Sequence, residues 1–185
     1  MDIQLSWDLF IAVFFVIIIA YSFIIGVNNT AKVIIGTYIS LVCADAIGEI
    51  FAHYFSGTAM FMQVAKEAAM SGEMEAVIFI KVMVFLVMLI LFAVKGSFNV
   101  TAASGGVFKM IFGMAYAALS AGLIICSLLV LVSGVSILSG GGAISESLKG
   151  ITDNSVFALN IVYYQNFWFS LPAFAFLIHS LKSGD

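Results

Sequence analysis

Asp45, Glu49 and His53 recur at intervals of four along an apolar stretch, residues 32–54, and Lys81 interrupts another apolar stretch. On a helix, four residues overshoot one turn only slightly, so the three lie on nearly one side. Two carboxylates, an imidazole and an ammonium within apolar helices have the chemistry to pass protons or small ions. Ionisable groups in a membrane face a protein interior or a water-filled cavity, and so mark candidate sites. The same residues also make a structural joint. Lys81 paired with Glu49 or Asp45 would hold two helices together, because each unpaired ion carries a large desolvation penalty. Lys81 neutralises only one carboxylate; the second must be protonated, hydrated or paired with His53. Both readings stay open on the residues alone.

Other chemistry finds less footing. Glu49 and His53 could supply two metal ligands, but no further histidine is near in sequence; His179 could approach only through folding. No metal and no cofactor is expected. The chain has no Gly-x-Ser-x-Gly, no His-Glu-x-x-His, no phosphate-binding loop and no dinucleotide fingerprint, so it is not expected to be an enzyme. All cations are lysines, which leaves bidentate phosphate recognition unsupported, and no basic patch points to nucleic acid. Cys43 and Cys126 both sit in apolar runs and read as buried thiols.

The elements that must position these residues are membrane helices. Of 185 residues, 63% are hydrophobic and 9% charged, with a mean hydropathy of +1.19. Soluble domains carry about a quarter charged residues, so the expected surroundings are membrane lipids. The expected fold is an all-α polytopic membrane bundle with about four transmembrane helices and C-terminal amphipathic interfacial helices. A transmembrane domain, residues 1–138, holds helices at about 7–27, 32–54, 76–95 and 109–134. A less apolar surface segment covers 56–75. Gly26 and the Asn28-Asn29 pair mark the first turn. The acidic start, Asp2 and Asp8, is unlike a cleaved leader, so the first run is expected to be retained. The tail, residues 139–185, reads as interfacial helices, with a fifth crossing over 155–181 as the alternative. Its polar breaks are Asn160, Gln165, Asn166 and Pro172, among aromatics that favour the membrane boundary.

Small residues recur at Gly36, Ser40, Ala44 and Gly48 on the second helix. On the fourth they recur at Gly113, Ala117 and Ala121, with Gly122 in the neighbouring row. Such rows let helix backbones approach closely, and the two helices are natural partners; the rows could also support a homo-oligomer. With four crossings, Lys32, Lys95 and Lys109 fall on one side and Lys66 and Lys149 on the other. Lysine retention then places both termini in the periplasm.

Four stretches carry a family resemblance. An acidic start leads into Trp7-Asp8-Leu9-Phe10-Ile11 and a helix ending in Gly26. A small-residue second helix follows a short turn. Phe112-Gly113-Met114-Ala115-Tyr116-Ala117-Ala118 opens a glycine-containing fourth helix, and Ile151-Thr152-Asp153-Asn154-Ser155 precedes a short apolar helix. This order resembles the colicin V production protein (CvpA-like) family. Where that family usually has an arginine and a further glycine after the first helix, this chain has Val27-Asn28-Asn29-Thr30-Ala31-Lys32. The resemblance implies a bacterial inner-membrane accessory protein linked to toxin production or export and to envelope homeostasis, with envelope protein partners. It implies no catalytic residues. A small ion channel or proton-coupled transporter subunit is the competing expectation.

Overall fold

The structure, a computed structural model, describes residues 7–55, 58, 63, 72–96, 107–137 and 146–182. All regular structure among them is helical: α1 (Trp7–Tyr54), α2 (Glu73–Lys95), α3 (Val107–Val132), α4 (Glu146–Thr152), α5 (Val156–Tyr163) and α6 (Gln165–Lys182). α1, α2 and residues Gly113–Val132 of α3 are each long and apolar enough to cross a membrane. The pair α5–α6, bent by 61° at Tyr164, meets the same test when taken together. These helices are consistent with a multi-pass membrane protein. Most of the surface segment expected over 56–75 lies outside the described residues, as do the connections over 97–106 and 138–145.

α1 is two helical arms joined at Gly26, whose φ of 79° and ψ of 167° are non-helical. The first expected turn is therefore a single residue. The polar run Asn28-Asn29 that signalled a loop is already helical, its Asn29 side chain donating to the Ile25 carbonyl at 2.9 Å. The arms double back. In the first arm, Ile11 shares an apolar cluster with Ile125, Cys126 and Leu129 of α3. At the bend, a Cβ on Gly113 would lie 3.3 Å from Val27. In the second arm, Ala31 and Ile34 cluster with Tyr116 and Leu123, and Asp45 reaches the Ile137 amide at 2.7 Å. Partners on α3 thus fall along one arm and rise along the other. Thr30 closes the bend, its hydroxyl placed to donate to the carbonyls of Gly26 at 3.0 Å and Ser22 at 3.2 Å, one at the break and one before it.

The backbone at Gly26 lies in a region open essentially to glycine alone, while a Cβ there would meet nothing within 4 Å. Gly26→Ala is therefore a purely conformational test. It is expected to cost about 1–3 kcal/mol in unfolding experiments on the purified protein in detergent. An unchanged midpoint would mean that the reversal does not depend on that backbone conformation.

α3 is the central helix, with Tyr116, Ala117 and every residue from Ser120 to Ser127 buried. The small-residue rows do not simply meet each other as expected. Gly36 faces α2, where a Cβ would come within 2.8 Å of the Phe92 Cβ, and Gly48 lies against the Lys81 stem of the same helix. Ala44 is fully buried between Phe85 and the α3 leucines. Ser40 is buried with no hydrogen-bond partner among the described residues. On α3, Gly113 meets Val27, and Ala117 and Ala121 are fully buried, but Gly122 receives the Trp168 ring of α6. A small residue records that something comes close; it carries no mark of which helix does so.

The C-terminal helices are tied to the bundle by polar bonds. Ser155 caps α5, accepting from the Ala158 amide at 3.0 Å, and its hydroxyl donates to Asp8 at 2.5 Å. The same Asp8 oxygen accepts from the Phe157 amide at 3.1 Å. In α6, Pro172 removes one N–H from the helical ladder. The nearby carbonyl of Phe169 accepts the Tyr38 hydroxyl at 2.5 Å, and that of Ala175 accepts the Tyr116 hydroxyl at 2.9 Å.

Candidate functional site: a buried lysine between two carboxylates

The second arm of α1 presents Asp45 and Glu49 one turn apart, and α2 runs antiparallel beside it, with Phe92 at Gly36 and Lys81 at Gly48. Lys81 lies about 12 Å along α2 from Glu73, at the 1.5 Å rise of a helix. Its ammonium donates to Asp45 Oδ1 at 2.8 Å and to Glu49 Oε1 at 2.9 Å. The either-or pairing read from the sequence is thus a three-member bridge. Gly48 makes it sterically feasible: with no side chain there, the lysine stem crosses the face of α1 and delivers its charge between residues 45 and 49.

The two carboxylates are not equivalent. Asp45 is fully buried, whereas the Glu49 side chain is 47% exposed. The second oxygen of Asp45, Oδ2, accepts from the Ser136 hydroxyl at 3.0 Å and from the Ile137 amide at 2.7 Å. Both donors sit just past α3, after a turn in which Gly134 has a φ of 71°. Asp45 therefore ties α1 to α2 through Lys81 and to the end of α3 through Ser136 and Ile137. A buried carboxylate with donors on both oxygens is held in one orientation.

Residues 45, 49, 53 and 81 do not come together as one cleft. His53 is exposed and makes an edge contact with the Tyr54 ring, centroids 4.9 Å apart. Each step of four turns the helix by about 40°, so His53 has rotated by about 80° from Asp45 and leaves the α1–α2 contact. The described residues contain no group of three or more His, Cys, Asp or Glu able to hold a metal. Cys126 is buried and Cys43 half-buried, both as free thiols.

Sequence reasoning missed Ser136 and Ile137. A serine soon after a helix end is a weak signal, and a backbone amide gives none. Asp8 was read only as part of an acidic start; its role as acceptor for Ser155 and Phe157 links residues nearly 150 positions apart. No family model, no curated protein and no solved structure matches this chain.

Proposed function

We propose that this chain is a non-enzymatic accessory protein of the bacterial inner membrane, of the kind that the CvpA resemblance implies, acting in toxin production or export and in envelope homeostasis. The amino end lies in the periplasm, and the protein works through membrane-embedded contacts with envelope proteins or a second copy of itself. The observation that carries this reading is the saturation of Asp45. Both of its oxygens hold donors from different segments, and the ammonium between the acids is itself buried. A carboxylate that relays protons must exchange partners, whereas this one is committed to joining three segments. Asp45, Glu49 and Lys81 are thereby read as a joint within a packed membrane scaffold.

The direct test is complementation. In a colicin V-producing bacterium lacking its own CvpA, expression of this chain is expected to restore toxin release; no restoration at normal membrane levels would overturn the assignment. The half-exposed Glu49 beside Lys81 supports the second reading, a small channel or proton-coupled transporter subunit. Proteoliposomes holding the purified protein decide between the two. Across a pH range they are expected to leak protons and monovalent ions no faster than empty vesicles. A flux that Asp45→Asn abolishes would establish conduction instead.

A further inference from the structure

We infer that α6 passes through the membrane alongside α3, so that the carboxyl end emerges on the face opposite the amino end. The inference rests on the membrane placement proposed above and is independent of the accessory role.

Three observations carry it. The first is direction. Trp168 fills the notch at Gly122, and Ala175 accepts from Tyr116, so seven steps forward on α6 match six steps back on α3. The two helices run antiparallel through the level where α3 is most buried. The second is composition. A helix lying flat at the membrane surface needs a polar face. From Phe167 to Ile178 the only hydroxyl or amide side chain is Ser170, and the side away from the bundle exposes Leu171, Phe174, Leu177 and Ile178. The polar residues gather at the two ends, Gln165-Asn166 and His179 to Lys182, as they do in a span. The third is the starting point. Asp8 bonds to Ser155 and Phe157, so the first arm of α1 and the α5–α6 pair begin at the same end of the bundle. The first arm also descends against α3, and α6 descends in the same sense.

The apolar stretch of α6, residues 167–178, extends about 18 Å, and the α5–α6 pair taken together is long and apolar enough to cross a core about 30 Å thick. Lys182 joins Lys32, Lys95 and Lys109 on one side, against Lys66 and Lys149 on the other. The lysine bias becomes four to two and assigns the carboxyl end to the cytoplasm.

The test uses the otherwise native full chain with green fluorescent protein or alkaline phosphatase fused at the carboxyl end. Fluorescence without phosphatase activity is expected; active phosphatase with no fluorescence overturns the inference. A second measurement avoids the fusions. In intact cells a membrane-impermeant maleimide is expected to label Ser6→Cys at once, Ser183→Cys only after permeabilisation, and Phe174→Cys not at all, against the unsubstituted chain as background. Labelling of both Ser6→Cys and Ser183→Cys before permeabilisation, or of Phe174→Cys, overturns it. Carbonate extraction of the same membranes tests the placement separately: release of the protein would remove the premise, and retention with both ends labelled would remove only the fifth crossing.

Discussion

Lys81→Met is expected to be the most destabilising single substitution in the bundle, at about 3–5 kcal/mol, the usual cost of removing one partner from a buried ion pair. Methionine keeps most of the stem that lies over Gly48 but removes the ammonium held between Asp45 and Glu49. Glu49 can turn to solvent, since half of its side chain is already exposed. Asp45 cannot; it is fully buried and would lose its ammonium partner while the Ser136 and Ile137 donors stay. Asp45→Asn is a milder change. The amide oxygen can still accept from the α3 end, and Lys81 keeps Glu49, so a loss of about 1–3 kcal/mol is expected, that of an impaired buried hydrogen-bond network. The double substitution Lys81→Met/Asp45→Asn is expected to cost less than the sum of the two, because it leaves no stranded charge. Unfolding of the four proteins in one detergent gives the cycle. Additive losses would show that the two residues do not act as a unit.

Gly122→Ala should have the next largest effect, about 1–3 kcal/mol from overpacking. A methyl at residue 122 would overlap the six-membered ring of Trp168, and an indole cannot fold aside as a lysine stem can. α6 must then shift off α3, and the bonds from Tyr38 to Phe169 and from Tyr116 to Ala175 stretch with it. Trp168→Leu is expected to relieve the overlap, so the pair Gly122→Ala/Trp168→Leu should be more stable than Gly122→Ala alone. Unfolding midpoints of the three variants check this. Equal losses in the single and double substitutions would mean that the ring does not pack against that glycine.

The helices themselves were largely legible in the residues. In an apolar medium every backbone group must bond within its own helix, so a long apolar run has few alternatives. The expected spans at 76–95 and 109–134 sit within two or three residues of the observed helix ends, and the bend at Gly26 falls where the glycine stands. The pairing of Lys81 with an acid on the neighbouring helix followed from depth alone, because residues at equal depth on adjacent antiparallel helices meet.

Tertiary structure decided what each helix face meets. Nothing local in Asp45 names Ser136 and Ile137, some 90 residues away, as its second set of donors. The four-residue spacing placed His53 with Asp45 and Glu49, but the helix rotates by about 40° at each such step, and only the position of α2 determines where that drift leaves the contact. Gly122 belonged to a row expected to face the second helix, and instead it receives an indole from α6. Hydropathy and length act within one segment and can be read along the chain. The choice among facing surfaces depends on how side chains from distant segments fill the same space, and only the folded bundle fixes that.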